Sequence, residues 1–216
     1  MIGIIILDFD GVILESVSVK TEAFRKLFSF APEHIDEIIQ YHKENGGMSR
    51  YDKFRHIYKS ILRQDLPKQK FKELSETFAD LVFEEMIKTP FVPGAHDFLE
   101  KYYTTMTLYI VSATPEEELI RIIRARKISH YFRRVYGAPR KKADCIREII
   151  KYTGPYPDSV IFVGDAKNDF EAAQAIGVRF IGRIKPGDEN RFLGLSGIDA
   201  LIPDLHELAR YIEVNS

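Results

Sequence analysis

Cysteine is almost absent from this chain. Cys145 is the single one among 216 residues, so no intrachain disulfide can form, and a reducing, cytoplasmic setting is the expectation. An excess of either charge is also missing. Lys and Arg total 31 against 32 Asp and Glu, which removes any general electrostatic reason to expect nucleic-acid or membrane partners. A monomer is the expectation for such a balanced surface. Long apolar runs are lacking too. The N-terminal run Ile2–Leu7 is cut off by Asp8, far short of the roughly 18 residues that a membrane span needs. Internal repeats and low-complexity tracts are missing. The six histidines are scattered without metal-ligand spacing and read as surface or packing residues.

What is present is a pattern of short, continuous apolar runs separated by amphipathic stretches. The runs are Ile2–Phe9, Met106–Val111, Val160–Val163 and Val178–Ile181, with a weaker one at Arg134–Tyr136. Continuous rather than alternating polarity suits strands buried on both faces, as in a parallel sheet. Helical patterns cover Ala95–Tyr103, Pro115–Arg126, Lys142–Tyr152, Asp169–Ile176 and Leu205–Ile212. The alternation predicts an α/β fold, a doubly wound, Rossmann-like parallel sheet. Thr114-Pro115-Glu116-Glu117 has the form of a capping box, with Thr114 as the cap.

The stretch from 15 to 90 differs. It has no convincing strand, and Phe24, Leu27 and Phe28 share one helical face, as do Phe71, Leu74, Phe78 and Leu81. It reads as an all-α insertion of about four helices, a cap at residues 15–90. The α/β core then comprises residues 1–14 and 91–216. Two chain crossings between these parts make a hinged lid the natural expectation.

Open α/β sheets bind ligands beyond the carboxyl ends of their strands. The first run delivers Asp8-Phe9-Asp10-Gly11, and the second delivers Ser112-Ala113-Thr114. The segment after Tyr136 brings Lys141 and Lys142, and the Val160 run brings Gly164-Asp165 through Asp169. Carboxylates gathered at one edge repel unless a cation offsets them, and an all-oxygen set favours a hard ion such as Mg²⁺. A lysine, a hydroxyl and backbone N–H groups suit phosphate oxygens. One carboxylate can attack phosphorus, and a second can act as acid and base.

These motifs, in this order, resemble the haloacid dehalogenase (HAD) superfamily of hydrolases. The pattern Ile4-Ile5-Ile6-Leu7-Asp8-Phe9-Asp10-Gly11-Val12 is similar to its first motif. Ser112, Lys142 and Gly164-Asp165 to Asp169 are similar to the other three. The helical insertion places the chain near the branch of phosphoglycolate phosphatases and β-phosphoglucomutases. The resemblance implies a phosphatase that acts through an aspartyl-phosphate. Asp8 would be the nucleophile and Asp10 the acid and base. Mg²⁺ would lie on Asp8, the Asp10 carbonyl and Asp165, with Asp169 behind them. Ser112, Ala113 and Lys142 would bind the phosphoryl group of a small phosphorylated metabolite. Lys142 fits the family's spacing better than Lys141, because Ile146 follows it by four. In similar proteins the loop 45–50 faces the site, which makes Arg50, and after it Lys53, a candidate for an anionic substrate. A phosphomutase shares this core set. A non-catalytic binding module would have lost one of these residues, and none is lost.

Overall fold

A computed structural model describes residues 2–154 and 156–215. Six parallel strands form one sheet in the order β3-β2-β1-β4-β5-β6. They are β1 (Ile4–Leu7), β2 (Thr107–Pro115), β3 (Arg134–Ala138), β4 (Val160–Gly164), β5 (Arg179–Arg183) and β6 (Ala200–Ile202). β1 is central, paired with β2 through Leu7↔Ile110 and with β4 through Leu7↔Val163. Side chains of a strand alternate between faces, and both faces of β1 are apolar. Ile5 and Leu7 join one core with Phe98, Leu99, Ile122 and Leu208. Ile4 and Ile6 join another with Ile146, Ile149, Phe170 and Ala173. Burial on both faces is why the sequence shows continuous apolar runs.

The covering helices are α5 (Ala95–Tyr102), α6 (Glu116–Ala125), α7 (Lys142–Thr153), α8 (Lys167–Ile176) and α9 (Leu205–Asn215). β6, three residues long, is too short to announce itself in the sequence. It forms because β5 offers it a free edge, with Gly182 opposite Leu201.

Between β1 and α5 lie α1 (Val17–Leu27), α2 (Ile35–Glu44), α3 (Arg50–His56) and α4 (Lys68–Lys88). Leu74, Phe78, Val82 and Met86 make the buried stripe of α4, one residue per turn. Phe24 and Phe54 pack on Phe78 with ring centroids 5.0 and 6.2 Å away. The chain leaves and returns side by side, since Glu15 N donates to Pro90 O at 3.0 Å and Val92 N to Ile13 O at 3.0 Å.

One sequence expectation changes here. The helix after β2 starts at Glu116, and Thr114 does not cap it. The strand runs on through Thr114, whose hydroxyl donates to Asp10 instead, at 2.8 Å. The basic residues around α6 serve internal packing as well as solvent. Arg126 donates to the carbonyls of Ile87 and Thr89 at 2.5 and 2.6 Å, satisfying orphan acceptors at the end of α4. Arg121 stacks over Phe83, 3.6 Å from the ring centroid.

Candidate active site

The strand order reverses around β1, because the chain passes from β3 at one edge to β4 on the other side of β1. Asp8 and Asp165 follow β1 and β4 directly, so both stand at that switch point. Asp8 N donates to Val163 O at 2.9 Å, which fixes the backbone at the strand exit. Gly11 then turns the chain with φ +75°, and a Cβ there would meet Asp165 Oδ2 at 2.4 Å.

Asp8 is buried. Its Oδ1 accepts from Phe9 N at 2.6 Å and its Oδ2 from Lys142 Nζ at 2.8 Å. Lys142 also bonds Asp169, whose other oxygen accepts from Ala166 N at 3.0 Å. α7 begins at Lys142, and that turn buries Lys142 while leaving Lys141 exposed. Ser112 is buried, its Oγ accepting from Thr114 N at 3.1 Å, and Ala113 lines the same cleft.

Carboxylate oxygens of Asp8, Asp165 and Asp169 lie within 4.8 Å of one another. Burial pushes the Asp8 carboxyl up to about 7, with Asp169 and Asp10 adding to the rise and Lys142 opposing it. Burial, then Asp8 and Asp169, pushes Asp165 up to about 8. Burial alone would lower Lys142, but Asp169 and Asp8 reverse this and hold it well above the usual lysine range. One ammonium therefore serves three carboxylates. Arg191, 3.3 Å from Asp165, supplies partial relief from the rim. A second positive charge would relieve the remaining repulsion, and the donor set fits a hard divalent cation.

Asp10 points the other way, toward the helical segment. Ser16 donates to it at 2.6 Å, Thr114 at 2.8 Å, and Lys20 of α1 forms an ion pair with it. Burial would raise its pKa, but the Lys20 charge and the hydrogen bonds from Lys20, Ser16 and Thr114 outweigh that and lower it. Sequence reasoning missed Lys20. It lies ten residues from Asp10, and no motif marks it.

A cleft of about 1210 Å³ runs from Asp8 to the helical segment. Ser49 caps α3 by accepting from Asp52 N at 3.3 Å, which sets Arg50 and Lys53 on one helical face. Gly47 lies so close to the β4 loop that a Cβ would meet Asn168 Oδ1 at 1.9 Å. Arg50 does line the cleft, yet its guanidinium fork closes on Glu118 of α6, at 2.6 and 3.2 Å. Lys53 instead donates to His42, to Nδ1 and to the carbonyl, both at 3.1 Å.

A family model of haloacid dehalogenase-like hydrolases matches residues 5–183. The chain belongs to that family. Asp8, Ser112 and Asp165 line the cleft at the switch point, and Lys142 joins them through its hydrogen bond to Asp8. A phosphoglycolate phosphatase from Pseudomonas putida is 26% identical, over 95% of this chain and 78% of that protein. A phosphorylated carbohydrates phosphatase from Thermotoga maritima is 23% identical, over 92% of this chain and 93% of its own. The HAD hydrolase YfnB from Bacillus subtilis, solved bound to magnesium, superposes with a TM-score of 0.72 at 16% identity, over 98% of each chain. Among the described residues, no helix is long and apolar enough to cross a membrane.

Proposed function

We propose that this HAD hydrolase is a magnesium-dependent phosphatase of small phosphate monoesters, with Asp8 as nucleophile. The observation that carries this is the setting of Asp8. Its carboxylate is aimed by Phe9 N–H and Lys142, and it shares a cluster with Asp165 and Asp169. The P. putida and T. maritima phosphatases and the magnesium-bound relative support the same reading.

In this mechanism Asp8 attacks phosphorus in line and forms an aspartyl-phosphate while the phosphorus–oxygen bond to the leaving group breaks. Lys142, the Ser112 hydroxyl and the backbone N–H groups of Phe9 and Ala113 hold the phosphoryl oxygens. Asp10 protonates the leaving oxygen and later takes a proton from the attacking water. In the resting site Asp10 is a carboxylate held by Lys20, Ser16 and Thr114. The approach of a phosphoryl dianion raises its proton affinity and equips it for the acid step. Asp8, the Asp10 carbonyl and Asp165 would hold Mg²⁺, which would supply positive charge to offset that of the phosphoryl group. Asp169 orients Lys142. Residues 15–90 form a cap that closes the cleft and excludes water, and the Arg50–Glu118 pair joins cap to core.

The direct test is phosphate release from a panel of monoesters with and without Mg²⁺, with product analysis for hexose phosphates. Magnesium-dependent release into water is expected. Transfer between two positions of one sugar would point to a phosphomutase, and neither outcome from any ester would overturn the reading.

Metal binding also has a pH signature. Asp8 and Asp165 have folded pKa values raised above the ordinary 3.8, to about 7 and 8. The fold therefore prefers them protonated, and this preference becomes a growing cost as pH rises through those values. Mg²⁺ binds the ionised forms and removes that cost. At a fixed concentration of about 100 times its Kd at pH 8.5, it should raise Tm by roughly 5–10 °C at that pH and by much less near pH 5.5, where its Kd is weaker. Scanning calorimetry at both pH values checks this. An equal shift at both would argue against a carboxylate site.

A further inference from the structure

The three clustered carboxylates do not share their cations evenly. Asp8 and Asp169 are held by the buried Lys142. Asp165 is held from elsewhere. Among the described residues, the only hydrogen-bond or ion-pair partner of its carboxylate is Arg191, at 3.3 Å. The same guanidinium nitrogen, Nη1, also donates to the Asp165 carbonyl at 3.3 Å. Arg191 belongs to no helix or strand and comes from the segment that joins β5 to β6.

That segment fixes the root of Arg191 and leaves its head free. Phe192 is buried in the second core, with its ring centroid 5.6 Å from that of Phe180. Gly182 makes the room, since a Cβ there would meet the Phe192 ring at 2.8 Å. On the other side, Asn190 Oδ1 accepts from Phe192 N at 2.9 Å, and Asp188 N donates to Lys185 O at 3.0 Å. The backbone around Arg191 is thus anchored, while its side chain is 33% exposed. The guanidinium already reaches two carboxylates. Nη1 faces Asp165, and Nη2 lies 3.5 Å from Asp188, which is more open to solvent.

A guanidinium has donors only and stays charged, so it cannot ligate a metal. Its charge also repels a divalent cation at the oxygen it occupies. Asp165 therefore cannot serve Arg191 and such a cation together. We propose that Arg191 is a tethered counter-cation, which occupies Asp165 in the metal-free protein and moves onto Asp188 when a divalent cation binds, and so sets the metal affinity of the site. This rests on the metal site of the phosphatase reading above. Lys142, buried between Asp8 and Asp169, stays in place during the exchange.

The test is calorimetric titration of the full chain with MgCl₂ near neutral pH, in wild type, Arg191→Gln, Asp188→Asn and the double variant. Arg191→Gln should bind Mg²⁺ about tenfold more tightly than wild type, the scale for removing a unit charge close to a divalent ion at a water-like dielectric. A damaged fold would lose affinity, so the expected gain cannot come from misfolding. Asp188→Asn takes away the second partner of Arg191. It should weaken binding about threefold, the scale of an exposed ion pair, and that effect should disappear in the Arg191→Gln background. Equal or weaker binding by Arg191→Gln would overturn the proposal and leave the metal site standing. A lower melting temperature of Arg191→Gln with unchanged Mg²⁺ affinity would do the same, since it would make the pair purely structural. An Asp188→Asn effect of the same size in both backgrounds would overturn the exchange between the two carboxylates. Failure of all four proteins to bind Mg²⁺ would overturn the proposal together with the metal site it rests on.

Discussion

Asp8→Asn should abolish turnover, lowering kcat by about 10⁴-fold or more while leaving the fold intact. The amide keeps an oxygen to accept from Phe9 N–H and retains the carboxylate's shape, so the exit of β1 should be undisturbed. It loses nucleophilicity, and no neighbour can replace it. Asp169 is held on Lys142 and Ala166 N, and Asp10 faces Lys20. The substitution also removes one carboxylate from a cluster that burial and mutual repulsion already push toward protonation. The metal-free variant should therefore melt at or above the wild-type temperature near neutral pH. Steady-state phosphate release and a melting curve check both parts. Activity within tenfold of wild type would assign the nucleophile elsewhere.

Lys142→Ala should differ sharply from Lys141→Ala. Removing Lys142 deletes the buried donor shared by Asp8 and Asp169, and it leaves three carboxylates with only Arg191 at the rim. A fall in kcat/KM of roughly 10²–10³-fold follows from the loss of one preorganised donor to the phosphoryl oxygens. Stability should drop as well, by about 3 kcal/mol near pH 8, the scale for breaking a buried ion pair. The sign of its pH dependence is set by the acids. Without Lys142 the already raised folded pKa of Asp8 rises further, so the deficit grows as pH rises and shrinks toward about pH 5, where Asp8 can take a proton. Lys141 is exposed at the helix start, and its removal should change stability by no more than about 0.5 kcal/mol and activity little. Equal losses from the two variants would remove Lys142 from its proposed role.

The two lysines show where sequence reasoning reaches and where it stops. Spacing favours Lys142, but only the first turn of α7 decides which of two adjacent side chains turns inward. Thr114 is a plainer limit. Its context is that of a helix cap, yet β2 continues through it and its hydroxyl is engaged by Asp10 and Lys20. A local signal lost to a tertiary hydrogen bond. His42 is another case, since nothing in a scattered set of histidines marks the one that is buried beneath a lysine from the next helix.

The sequence by itself determined the parallel α/β core, the run of helices after β1 and the placement of Asp8 and Asp165 directly after β1 and β4. Those features are local: an apolar run makes the strand, and the residue after it must emerge at the sheet's edge. The tertiary structure alone decided the partners across the cleft. Lys20 on Asp10, Arg50 on Glu118 and Lys53 on His42 join residues 10, 68 and 11 positions apart. None follows from helical or strand periodicity, because each depends on how the inserted helices fold together and settle over the carboxyl edge of the sheet.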